Sequence, residues 1–235
     1  MIMSRLPKAS DVVVTAIRDR ILRQRLPVGH RLPSEVELAA ELGVGRVAVR
    51  EALRLLERDG LVEVRRGVTG GVFVRHPELG QVSDVISLLF ATRSTTIAEW
   101  VEFRLLLEPT AAELAARHAT AEQREVFAVH AAAAGVDLAY VPDLHLAVAE
   151  ASGNSVLAVS LESLRRPFTE HFRPRLISEA DLEATSAAHI RISERILAGD
   201  APGARRAMTR HLTGYRDYME QRGLMSAPLI NLDQR

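Results

Sequence analysis

Hydrophobic residues recur at helical spacing along most of this chain, with one short stretch in which they alternate. Val13, Ile17 and Ile21 stand at i, i+4 and i+8 with arginines between them, which predicts an amphipathic helix over about Ala9–Leu26, ended by Pro27-Val-Gly29. Ser34 and Glu37 form an S-x-x-E capping box for a short helix running to about Leu42, with Gly43 as its stop. A third helix is predicted from about Arg46 to Asp59, with Val49, Leu53 and Leu56 on its apolar face and Gly60 after it. The period then changes to two. Leu61–Arg65 and Val72–Arg75 predict strands joined by the glycine-rich tip Arg66–Gly71.

Beyond a linker at Pro77–Gly80 the pattern predicts only helices: Val82–Ala91, Ile97–His118, Ala121–Ala134, about Pro142–Ala151, Ser155–Phe172, Glu179–Ala198 and Ala204–Arg222. Pro109 predicts a kink in the second of these. The resulting division is 1–76, a linker at 77–80, an all-α part at 81–225 and an irregular tail at 226–235. The expected fold class is mainly α, a winged helix-turn-helix followed by an all-α helical bundle.

Charge sharpens that division. The 235 residues carry 30 Lys and Arg against 30 Asp and Glu, yet the balance is uneven along the chain. Met1–His76 holds 14 basic and 9 acidic residues, a net of +5, and the remainder offsets it at −5. A basic first third suits a polyanionic partner, and an acidic remainder suits a different one. There is no cysteine, which excludes disulfides, thiol catalysis and cysteine-ligated metal. No apolar run spans a bilayer and nothing at the start reads as a signal peptide, so a soluble cytoplasmic protein is expected.

The third helix opens with Arg46 and adds Arg50 one turn later, although cations are unfavourable at the positive end of a helix dipole. A capped helix, a glycine turn and a second helix make a helix-turn-helix, and the hairpin after it is a wing. In that geometry the N-terminal residues of the second helix meet base edges in the major groove. Arg46 and Arg50 are then stabilised by phosphates or guanine edges. Val47 and Ala48 between them offer apolar contact to a thymine methyl. The wing tip from Arg65 through Arg66 to Gly70 and Gly71 can approach the backbone closely because glycine permits it.

Residues from about Asp11 to Val74 resemble the DNA-binding domain of the GntR family of bacterial transcription regulators. The resemblance is carried by Gly29-His-Arg-Leu-Pro-Ser-Glu35, Leu38-Ala39, Gly43-Val-Gly-Arg46, Val49-Arg-Glu-Ala-Leu53 and Gly60-Leu61. It implies DNA contacts from Arg31, Arg46 and Arg50, with Gly70 or Gly71 in the wing near the minor groove. Ser34, at the start of the helix-turn-helix, joins this candidate set. Gly45 stands where the family usually has Ser, which removes one hydroxyl contact to phosphate.

The remainder resembles the FCD effector domain of the FadR subfamily, on Arg104-x-x-x-Glu108, Ala111-Ala112, His145 with Ala151-Ser-Gly-Asn154, His189 and His211-Leu212. The resemblance implies a homodimeric repressor that binds double-stranded operator DNA and responds to a small-molecule carboxylate. His145, His189 and His211 lie near the middles of three predicted helices and could converge on one divalent zinc- or nickel-like ion, or serve as hydrogen-bonding core groups. His30, His76, His118, His130 and His171 are read as ordinary core or surface histidines. The family's site adds an Asp four residues before the first histidine, where this chain has Val141. Asp143, two residues before His145, could join only if Pro142 started the helix and distorted its first turn. Arg104 needs an acceptor, either Glu108 at i+4 or an effector carboxylate. Asn154 is either a helix cap or a pocket-lining group. No H-E-x-x-H motif places a general base beside the histidines, so an enzyme is disfavoured, and a non-sensing architectural DNA-binding protein is the remaining alternative.

Overall fold

A computed structural model of the chain describes residues 8–67, 70–77, 79–132, 143–164, 167 and 179–230. The fold divides into two compact units between Glu78 and Leu79. Among the described residues no helix is long and apolar enough to cross a membrane.

The first unit comprises α1 (Ala9–Arg23), β1 (Arg31–Leu32), α2 (Glu35–Leu42), α3 (Arg46–Arg58), β2 (Val62–Arg65) and β3 (Gly71–Val74). The apolar stripes expected of its helices are the ones buried. Val13, Ile17 and Ile21 of α1 pack with Leu38, Val49, Ala52, Leu53 and Leu56, and with Val62, Val72 and Val74 of the sheet. Both halves of the Ser34–Glu37 capping box form, with Glu37 N–H donating to Ser34 Oγ at 3.3 Å and Ser34 N–H donating to the Glu37 carboxylate at 2.7 Å. Gly43 closes α2 in the left-handed region at φ 64°, which only glycine adopts at little cost.

The sheet has one strand more than the sequence pattern predicts. β1 pairs antiparallel with β3, Arg31 opposite Phe73 and Leu32 opposite Val72, so β3 is central in the order β1-β3-β2. Two residues are too few to display an alternating period, and β1 is recognised only by its partner. β2 pairs with β3 from Val62 opposite Val74 to Arg65 opposite Gly71.

The second unit contains α4 (Leu79–Arg93), α5 (Ile97–His118), α6 (Ala121–Ala132), α7 (Leu144–Ala151), α8 (Ser155–Ser163), α9 (Glu179–Leu197) and α10 (Ala201–Gln221). Its main core joins Ala111, Ala112, Ala115 and Ala116 of α5 to Phe127, Leu144, Val148, Ile192, Ile196, Met208 and Leu212. Four alanines on one face of α5 let the neighbouring helices approach closely. α5 begins with a second capping box, Thr96 with Glu99, and contains Pro109 within its span.

Several details differ from expectation. α4 starts at Leu79, inside the expected linker. α10 starts at Ala201 rather than Ala204, because Asp200 caps it by accepting from Gly203 N–H at 2.9 Å and Pro202 fits a helix's first turn. The segment after Ser226 is irregular as expected, but Leu229 is buried with Trp100 and Leu164, and Thr96 forms a bridge with Pro228. The expected continuations of α6 to Ala134 and of α8 to Phe172 lie outside the described residues, as do Val141, Pro142 and His171.

Ser34→Ala removes the α2 cap and is expected to lower the stability of the folded protein by about 1 kcal/mol. Urea unfolding followed by circular dichroism measures it, and a midpoint equal to wild type would show that the capping box contributes nothing.

Candidate nucleic-acid interface and histidine pocket

α3 exposes what its predicted role requires. Val49, Ala52, Leu53 and Leu56 are buried, which turns Arg46, Val47 and Arg50 outward, with Val47 80% exposed and Ala48 partly exposed. Its N-cap, Gly45, provides no side-chain acceptor, so the first-turn N–H groups are left without a capping hydroxyl. A helix start of this kind offers N–H groups and positive partial charge to phosphate. Arg50 is not isolated: its Nε donates to Glu35 of α2 at 2.7 Å. Ser34 is exposed and occupied as the α2 cap.

The wing is braced from β1. Arg31 Nη2 donates to the Gly70 carbonyl at 3.1 Å. A Cβ on Gly70 would sit 2.4 Å from the Arg65 carbonyl oxygen and 2.8 Å from that of Gly67, so only glycine fits this turn. Arg65 lies over the Phe73 ring at 4.6 Å and pairs with Glu63 at 3.0 Å, while Arg66 is exposed. In this unit Arg31, Arg46, Val47, Arg50 and Arg66 are exposed, and Ala48, Gly70 and Gly71 are partly exposed.

In the second unit α7, α9 and α10 bring His145, His189 and His211 together. One ring nitrogen from each lies within 4.8 Å of the others. The ring centroids are 5.2 Å apart for His145–His189, 5.2 Å for His145–His211 and 4.9 Å for His189–His211. Three imidazoles bound to one tetrahedral ion at zinc–nitrogen distances have centroids about 5 Å apart. The donor set therefore fits a divalent ion in both chemistry and spacing. Burial lowers the pKa of His189 well below the usual histidine range, and His145 and His211 beside it act in the same direction. Burial likewise lowers His211, with His145 and Arg104 adding to the effect. Neutral imidazoles are the form that ligates metal. His189 Nε2 is buried with no hydrogen-bond partner among the described residues, as a nitrogen reserved for a ligand would be.

Asp143 is given a different task from metal ligation. It caps α7, accepting from the N–H groups of His145 at 3.0 Å and Leu146 at 3.3 Å. A carboxylate turned along the helix start to meet these donors is not among the groups that converge with the histidines. Asn154, a candidate effector contact, is the exposed N-cap of α8 and accepts from Val156 N–H at 3.0 Å and Leu157 N–H at 3.3 Å. Position 141 lies outside the described residues.

Arg104 is buried, and its Nε donates to Glu108 at 2.5 Å. Glu108 is equally buried and lies 2.6 Å from His145 Nδ1. Burial alone would raise the Glu108 pKa, but the adjacent Arg104 and His145 outweigh it and hold the carboxyl well below its ordinary range. The i,i+4 spacing of Arg104 and Glu108 was legible in the sequence, whereas the contact with His145 joins residues far apart in the chain. His130, read from sequence as an ordinary histidine, is buried with its ring 6.3 Å from that of His189.

Comparison with known proteins agrees with both units. Residues 9–74 match the profile described as bacterial regulatory proteins, gntR family, and residues 99–214 match the FCD domain. The "Putative L-lactate dehydrogenase operon regulatory protein" of Escherichia coli K12 is 34% identical over 222 residues, covering 88% of this chain and 84% of that protein. The HTH-type transcriptional repressor NanR of Escherichia coli K12 is 31% identical over 218 residues, covering 87% of this chain and 82% of NanR. Among solved structures, Streptococcus agalactiae GntR superposes with a TM-score of 0.66 at 28% identity, covering 88% of this chain and 99% of that one.

Because the folded state resists protonating His189 and His211, the unfolded chain binds more protons below its histidine pKa of about 6.5, and folding stability falls as pH drops from about 7 to 5. Glu108 adds little slope in this window, because it is ionised in the folded state and mostly ionised in the unfolded one above about pH 5. Metal-free protein unfolded in urea across this range is expected to show that slope, and His211→Gln to flatten it. Equal slopes in the two proteins would show that His211 is not held neutral by folding.

Proposed function

The chain belongs to the GntR family of bacterial regulatory proteins and carries an FCD domain, and from that premise we propose that it is a repressor whose second unit senses a small organic acid. Regulators of this family bind double-stranded DNA, and its domains are those of transcriptional regulators rather than enzymes. The finer reading adds membership of the FadR subfamily and binding as a homodimer to a pseudo-palindromic operator, the arrangement by which helix-turn-helix dimers match two half-sites. The observation that carries the DNA reading is the start of α3, where Arg46, Val47 and Arg50 are exposed at a helix N-terminus without a side-chain cap, in a unit that also carries a glycine-built wing. Arg46 and Arg50 meet phosphate or guanine, Val47 and Ala48 meet thymine methyls, and Arg31, Ser34, Arg66, Gly70 and Gly71 set the approach to the backbone.

For the second unit, His145, His189 and His211 are the residues that would hold a divalent ion, whose positive charge would attract a carboxylate ligand. Arg104 lies at the edge of this cluster but is paired with Glu108, so the attraction would fall to the ion. The name of one relative links it to an L-lactate dehydrogenase operon, which makes short hydroxy acids the first compounds to screen. The regulatory step is a population shift: the acid binds more tightly to the form of the protein that does not match the operator.

Arg50→Ala is expected to weaken specific operator binding by about 1–3 kcal/mol, read by fluorescence anisotropy at fixed salt. Unchanged affinity removes Arg50 from the readout. His189→Ala is expected to lose a bound divalent ion while keeping wild-type helicity, measured by mass spectrometry of metal content and by circular dichroism. Full metal retention in the folded variant refutes the three-histidine site.

A further inference from the structure

We propose that Glu108 is the positioning carboxylate of the histidine pocket, fixing His145 in the tautomer that presents Nε2, with Arg104 holding Glu108 in place. The proposal deepens the reading of the histidines as a metal site and assigns to α5 a part in it.

An ionised carboxylate has only acceptors. At 2.6 Å from Glu108 Oε2, the His145 Nδ1 must therefore carry the proton and donate it. In a neutral imidazole this leaves the lone pair on Nε2, which faces Arg104 Nη2 at 3.2 Å and would face a metal only in that donor's place. Metal-bound histidines commonly donate their other N–H to a carboxylate, which sets ring orientation and raises the basicity of the ligating nitrogen.

Glu108 suits this task because it is itself fixed. It is 3% exposed, and Arg104 grips it through Nε at 2.5 Å and through Nη2 at 3.3 Å. The same Nη2 lies 3.0 Å and 3.2 Å from the two nitrogens of His145; a guanidinium only donates, so with the proton on Nδ1 its acceptor is Nε2. Asp143 is placed differently: its Oδ1 accepts from the backbone of α7, and it is not among the groups that converge with the histidines. The histidine pocket thus has a carboxylate one step behind a ligand.

The test uses the full-length chain in two forms: wild type and the paired replacement Arg104→Met with Glu108→Leu. The paired form removes both buried charges together, a change proteins often tolerate, whereas removing one partner leaves an uncompensated charge. Nitrogen-detected imidazole NMR on metal-free protein reads the His145 tautomer, and competition with a chromophoric chelator reads zinc affinity. Wild type is expected to show the Nδ1–H form. The paired variant is expected to shift toward Nε2–H and to bind zinc about 10- to 100-fold more weakly. An Nε2–H tautomer in metal-free wild type overturns the proposal, as does wild-type tautomer and affinity in the folded paired variant. Should wild type bind no zinc, the metal reading fails by itself, and the tautomer still decides the role of Glu108.

Discussion

A guanidinium and a carboxylate buried together must satisfy each other or be driven out of the core, and the second unit is arranged around one such pair. Arg104 and Glu108 sit one turn apart on α5 at 2% and 3% exposure. Burial of this kind is costly, and in an ordinary core a pair of apolar residues would serve stability as well or better. What the pair brings is position. Its remaining hydrogen-bonding capacity reaches His145 on α7, and through His145 it meets the histidines of α9 and α10. The alanines of α5 one and two turns further on let these helices close around the polar group. An apolar core and a polar pocket are thus consecutive stretches of one helix.

The first unit solves an opposite problem, holding charged groups at the surface in defined places. A small core of aliphatic side chains fixes α1, α2, α3 and the three strands. On that base Arg50 is steadied by Glu35 and the wing by Arg31. Surface pairs of this kind contribute little to stability, so their consequence is chiefly orientation. The absence of a capping side chain at Gly45 fits the same logic, since donors left unsatisfied by the protein are available to phosphate.

Much of this was legible in the amino-acid order. The period of the apolar residues located α1, α3 and α5 to within a few residues, because burying one stripe of a helix needs only local spacing. Ser34 with Glu37 and Gly43 marked the limits of α2 through hydrogen bonds and dihedral angles that involve near neighbours. The histidines could be singled out through resemblance and helix position. Other features carried no such signal. β1 is two residues long and exists through its pairing with β3. Leu229 lies in an irregular segment and is buried by contacts with Trp100 and Leu164, both remote in sequence. Asn154 was readable as a pocket group or a cap, and Asp143 only as a ligand under a distorted first turn; the direction of the nearby N–H groups makes both of them caps.

The sequence by itself determined the helical class, the winged helix-turn-helix, the exposed arginines of α3 and the i,i+4 pairing of Arg104 with Glu108. Each of these follows from interactions between residues within a turn or two, or within a hairpin, of one another. Tertiary structure alone decided that His145, His189 and His211 meet within 4.8 Å, that His130 lies beside them, and that Glu108 faces His145. Those outcomes depend on how four or five helices rotate about their axes when their apolar faces pack. That rotation is set by the summed fit of side chains from distant segments, which no local pattern encodes.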